Sequence, residues 1–109
     1  MRKPIMAGNW KMNKTAAEGV QLINEMKADL LDVTSVDKVF CPPYLAVPDV
    51  ARAVAGTDLH VGAQDLYWEA SGAFTGEVAP SMVREFCEYV IIGHSERHPP
   101  GRRRYSAVT

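Results

Sequence analysis

Four short stretches of the chain, residues 5–9, 36–41, 59–64 and 89–93, are nearly continuous in apolar character and rich in β-branched or aromatic side chains. Such runs predict strands covered on both faces, as in parallel sheets, because a half-exposed strand would alternate with polar residues. Between them the period lengthens to that of a helix. Thr15 and Glu18 stand three apart in the form of a capping box, in which each side chain satisfies the other's backbone donor. Val20, Ile23, Met26 or Lys27, and Leu30 follow at helical spacing and predict one buried face. A second helix is predicted over about 45–55, with Pro48 in its first turn and Gly56 as its left-handed stop. A third, shorter helix is predicted over 81–87, just after Pro80. Strand and helix thus alternate, which points to βα units with parallel strands. This periodicity fits a doubly wound sheet and part of a closed barrel equally well.

In parallel α/β folds, reactive residues gather at the carboxyl ends of the strands. Three of these ends are polar: Asn9-Trp10-Lys11-Met12-Asn13, Gln64-Asp65 and His94-Ser95-Glu96. Lys11 can supply a fixed positive charge for an anionic substrate, and Asn9 a neutral hydrogen-bond donor. Taken singly, each has a plainer reading: a solvated loop lysine, a turn-forming asparagine, a hydrogen-bonded structural histidine. Their conjunction at strand ends is what favours chemistry.

Composition narrows the picture without adding to it. Of 109 residues, 47% are hydrophobic and 23% charged, which is ordinary for one globular domain. No apolar run approaches the about 18 residues of a membrane span. Cys41 and Cys87 have no CxxC spacing and read as reduced, buried thiols of a cytoplasmic protein without a metal site. The net charge is −1, yet Arg102, Arg103 and Arg104 give residues 98–109 a balance of +3, leaving −4 for residues 1–97. Three charges on a short end read as a solvated terminus and not as a nucleic-acid contact.

The motifs AGNWKMN (7–13), GAQDLYWEASGAFTGEVAP (62–80) and YVIIGHSER (89–97) closely resemble the triose-phosphate isomerase family, in that family's order and spacing. The resemblance implies a (βα)₈ barrel acting as an intramolecular aldose–ketose isomerase. Such an enzyme interconverts dihydroxyacetone phosphate and glyceraldehyde 3-phosphate in glycolysis and gluconeogenesis, with no cofactor. By resemblance, Asn9 and Lys11 bind substrate, and Lys11 stabilises phosphate and enediolate charge. His94 polarises the carbonyl, Glu96 holds Lys11 from behind with Ser95 beside it, and Phe74, Thr75, Gly76 and Glu77 belong to a loop that builds a homodimer.

The expected fold class is therefore α/β: the N-terminal half of a (βα)₈ barrel, with four parallel βα units over residues 1–97 and an irregular, basic, disordered tail over 98–109. A whole barrel of this type has roughly 250 residues and eight strands. From about His98 the family pattern is lost, and the glutamate base, the phosphate lid and the glycine-rich phosphate loops have no counterpart in the chain. Pro99 and Pro100 limit any helix after His94 to a single turn. The expectation is a chain inactive alone, a homo-oligomer in partnership with triose phosphate but with neither nucleic acid nor membrane. The alternative is a non-catalytic βα fragment that self-associates or complements a missing half-barrel.

Overall fold

A computed structural model describes residues 3–97; the expected tail, 98–109, lies outside the described residues. The strands are β1 (Ile5–Asn9), β2 (Asp37–Cys41), β3 (Leu59–Ala63) and β4 (Tyr89–Val90), and the helices are α1 (Ala16–Leu31), α2 (Val47–Val54) and α3 (Pro80–Arg84). Single 3₁₀ turns cover Tyr44–Ala46 and Ser95–Arg97.

The four strands are parallel and neighbour one another in chain order, β1-β2-β3-β4. A doubly wound sheet would reverse its order at a switch point. This one does not, so of the two architectures the periodicity allowed, the sheet is the N-terminal half of a barrel. Register fixes which side each residue takes, because successive side chains point to opposite faces. Phe40 pairs with Val61, and both join the core under the helices. Gly62 lies on the concave side, where an added Cβ would come within 2.9 Å of Cys41 Sγ and 3.3 Å of Tyr89. A glycine is required there because three strand interiors converge.

The helices form largely as their sequences predict. Thr15 Oγ1 accepts from Glu18 N at 3.2 Å and Thr15 N donates to Glu18 Oε1 at 2.9 Å, closing the capping box. That backbone donor lowers the Glu18 pKa. Ile23 on α1 and Val50 on α2 are fully buried against each other's neighbours, and Gly56, with φ +78°, ends the second helical segment. Two elements are shorter than expected. The strand predicted over 89–93 is reduced to Tyr89–Val90 because β3 runs out. Ile91 N still donates to Ala63 O at 2.9 Å, and then Gly93, with φ +68°, turns the chain away. The helix predicted over 81–87 covers Pro80–Arg84, since Phe86 N and Cys87 N both converge on Val83 O and tighten its end.

Helix α1 has no basic residue in its last turn, where the carbonyls carry partial negative charge. Lys38, from β2, supplies one from below. Its side chain is buried, and its ammonium donates to Leu30 O at 2.7 Å, to Val33 O, and to Asp58 Oδ2 at 3.1 Å. One charge therefore ties the end of α1 to the start of β3.

The outer edges of the sheet are open among the described residues. Ile5 and Met6 on β1 are 55% and 69% exposed. Leaving them in water forgoes roughly 1.5–3 kcal/mol for each side chain.

Two predictions follow from this packing. Lys38→Met, which keeps the aliphatic stem but removes three donors, is expected to destabilise the chain by roughly 1.5–3 kcal/mol in urea titration, the usual cost of a lost hydrogen bond to a charged group. Burial, with the Cys41 thiol adding to it, pushes the Cys87 pKa from 9.0 to about 11. The folded state then holds a proton that the unfolded state has released, so this contribution to stability is full below pH 9.0 and falls as pH rises towards about 11. Cys87→Ala is expected to flatten that slope; an unchanged slope would remove Cys87 as its source.

Candidate functional site

The carboxyl ends of β1, β3 and β4 meet in a cavity of about 340 Å³. Asn9, Lys11, Gln64, Asp65, His94 and Glu96 all line it, together with Met12, Pro43, Tyr44 and residues 76–78. Residues as far apart in the chain as Asn9 and Glu96 thus share one space because parallel strands deliver their C-terminal ends to the same side.

Asn9 is the last residue of β1. Its Oδ1 accepts the Lys11 backbone N–H at 3.0 Å, which leaves Nδ2 as the donor towards the cavity. Lys11 has φ +56°, a left-handed conformation that side chains with a Cβ rarely adopt. Its Nζ lies 3.4 Å from Glu96 Oε2. Both side chains are more than half exposed, so the pair contributes little to stability, about 0–1 kcal/mol. What it does is aim the ammonium.

His94 follows the positive-φ Gly93 and precedes the single turn Ser95–Arg97. The Glu96 backbone N–H donates to His94 Nδ1 at 3.1 Å. Glu96 Oε1 also stands 3.5 Å from the same nitrogen and would prefer a proton there. The shorter backbone contact, whose donor cannot reverse its polarity, takes precedence and fixes Nδ1 as acceptor. The neutral ring then carries its proton on Nε2.

Of the other residues singled out from sequence, Ser95 is exposed at the start of the turn and does not line the cavity. The loop residues divide. Gly76 and Glu77 reach the cavity rim, whereas Phe74 packs against Tyr67 of its own chain, ring centroids 4.6 Å apart, and Thr75 is exposed. A turn from Phe74 O to Glu77 N, at 2.9 Å, and a bond from Tyr67 N to Val78 O, at 2.8 Å, close this loop on itself.

One residue went unassigned in the sequence. Gln64 was visible only as a polar strand end, yet its Nε2 donates to Lys11 O at 2.8 Å and to Cys41 O at 2.9 Å. Nothing local marks such a contact, since its partners lie 53 and 23 residues away. Among the described residues, no group of three His, Cys, Asp or Glu could hold a metal ion, and no helix is long and apolar enough to cross a membrane.

The arrangement presents an ammonium, an amide donor and an imidazole N–H to one small space. It can neutralise an anionic ligand and stabilise negative charge developing on a carbonyl oxygen. Comparison with known proteins gives this chemistry a context. A family model described as "Triosephosphate isomerase" matches residues 4–105, running past the point near residue 98 where the motifs quoted above end. The chain is 46% identical over 97 residues to the triosephosphate isomerase of Dehalococcoides mccartyi and 53% identical over 98 residues to that of Clostridium novyi. Each alignment covers 89% of this chain and 39% of the relative, so the chain spans about two fifths of the length of the curated relatives it matches. The crystal structure of triosephosphate isomerase from Bartonella henselae superposes with a TM-score of 0.81 at 30% identity, covering 88% of this chain and 40% of that one.

The backbone contact at His94 makes a direct prediction. In nitrogen-detected NMR spectra of the neutral ring, His94 is expected as the Nε2–H tautomer, and a majority of Nδ1–H would contradict the Glu96 contact.

Proposed function

The chain belongs to the triosephosphate isomerase family, and on that premise we propose that its cavity is the electrophilic half of an isomerase site acting on triose phosphates. Moving a proton between adjacent carbons of dihydroxyacetone phosphate builds negative charge on the carbonyl oxygen. His94 Nε2–H and Asn9 Nδ2 are the donors towards that oxygen, and Lys11 balances the charge of the phosphate and the enediolate. Donors held in place before reaction need no reorganisation, and one such donor is typically worth about 2.7–4 kcal/mol in the barrier. The observation that carries this reading is the convergence of Asn9, Lys11 and His94 on one cavity, with the Glu96 carboxylate at Lys11 and the Glu96 backbone N–H at His94.

The same geometry argues that these 109 residues do not turn over substrate alone. Proton abstraction needs a carboxylate free to reach the substrate carbon. Of the acidic residues lining the cavity, Glu96 is engaged by Lys11, and Asp65 and Glu77 have partners of their own. A general base typically contributes about 10²–10⁴-fold. Its absence, with that of the lid and phosphate loops, leaves the stabilising groups with nothing to stabilise. The cytoplasm, glycolysis and a homodimer built through the loop of Phe74, Thr75, Gly76 and Glu77 belong to the same reading.

A second reading has its own support. Ile5 and Met6 stand exposed on β1, and an apolar groove of about 790 Å³ lined by Leu66, Val83, Val90 and Ile92 runs beside β4. Open parallel edges with apolar flanks favour association. On this reading the chain is a non-catalytic fragment that pairs with itself or with a complementary half-barrel.

One experiment separates them. The chain alone, in a coupled assay with glyceraldehyde 3-phosphate, is expected to show no turnover above background. Mixing it with a polypeptide carrying the last four βα units of a family member is expected to restore turnover, and Lys11→Ala to cut the restored rate by about 10²–10³-fold. Full turnover by the chain alone would refute the first reading, as would a soluble mixed complex without activity.

A further inference from the structure

The geometry points to Gln64 as a positioning residue: its side-chain amide locks the backbone of Lys11 in the left-handed conformation that sets the ammonium over the cavity. This deepens the isomerase reading and rests on it for the use to which Lys11 is put, but the lock itself is a property of the fold.

The starting point is the conformation of Lys11. A φ of +56° at a residue with a Cβ is disfavoured, and such a conformation persists only where its surroundings over-determine it. Four hydrogen bonds together do so here, and three of them reach only the Lys11 N–H and the residue before it. The Lys11 N–H is taken by Asn9 Oδ1 at 3.0 Å. The preceding residue is held at both ends, with Trp10 N donating to Cys41 O at 3.0 Å and Trp10 O accepting from Asn13 Nδ2 at 2.8 Å. Those contacts come from β1, the loop itself and β2. The Lys11 carbonyl is the remaining handle, and it is Gln64 that grips it, at 2.8 Å.

The chemistry of the grip is specific. One amide nitrogen carries two hydrogens, and here it serves two carbonyls, Lys11 O and Cys41 O at 2.9 Å. Cys41 O is the acceptor that also holds Trp10 N. A single side chain from the end of β3 therefore fastens the loop after β1 to the end of β2. Without it, Lys11 O is free to rotate, φ can return to negative values, and the side chain leaves the line towards Glu96 Oε2. Carboxylate and hydrocarbon cannot substitute. A glutamate at this position has no hydrogen to give and sets a negative oxygen against two carbonyls, while a leucine fills the space without a donor.

The test reads Lys11 directly. At positive φ the amide and α hydrogens of one residue lie close together, so native Lys11 is expected to give a strong intraresidue HN–Hα NOE. In Gln64→Leu and Gln64→Glu that cross-peak is expected to fall to the level of the α1 residues, with the resonances of Ile23 and Val50 unmoved. A strong Lys11 cross-peak retained in either folded variant would overturn the proposal. Should both variants fail to fold, the native chain decides: the Gln64 side-chain amide hydrogens are expected to exchange with solvent far more slowly than those of exposed Gln21, and equal rates would overturn it. Neither readout depends on turnover. Failure of the lock and failure of the isomerase reading are thus separate observations.

Discussion

The parallel ladder of β1, β2 and β3 is the constraint on which the site depends. Because Asn9 pairs with Cys41, and Val39 and Phe40 with His60 and Val61, the three strands finish together at one rim. β4 finishes there too, at a two-residue pairing with β3. Asn9, Lys11, Gln64, Asp65, His94 and Glu96 all sit within a few residues of one of these ends. Shifting any strand by one residue would exchange its two faces, turning Asn9 towards α1 and Trp10 into the cavity. Buried apolar side chains on the helix side, above all Phe40, Val61 and Ala63, make that exchange costly. The core under α1 and α2 therefore determines which way the polar residues at the rim point.

Two polar devices, one built on buried Lys38 and one on half-buried Gln64, then refine what hydrophobic packing leaves approximate. Lys38 gathers the C-terminal carbonyls of α1 and Asp58 around one ammonium, and Gln64 gathers the carbonyls of Lys11 and Cys41 around one amide. In both, a single side chain hydrogen-bonds to acceptors from different elements. The first ties the lower end of the sheet to a helix, and the second ties the upper end to a loop. Against these the open edges work in the opposite sense, leaving Ile5 and Met6 in water. The described residues combine a well-determined rim with an incompletely covered sheet.

Much of this was legible in the sequence because it is local. The capping box at Thr15 and Glu18, the buried stripe through Ile23 and the stop at Gly56 each follow from residues within one or two turns of one another. The first strand matched to the residue, since Ile5–Asn9 ends at a polar turn. The fourth was over-extended because an apolar run says how long a strand could be, while its partner, β3, sets how long it is. Likewise the run 81–87 kept its helical composition but lost its last turn to the tight convergence on Val83 O.

The chain's residues by themselves determined the alternation of strands and helices, the parallel arrangement, and the three polar strand ends that resemble a known family. What they could not determine is anything resting on separations across the fold. The unreversed strand order, the partition of the 74–77 loop between cavity rim and self-packing, the Nδ1 acceptor state of His94 and the grip of Gln64 on Lys11 were decided only when the strands came together. The reason is physical. Periodicity and capping reflect steric and hydrogen-bonding preferences among near neighbours, whereas a hydrogen bond across 53 residues depends on the register and curvature of the sheet, which no single segment contains.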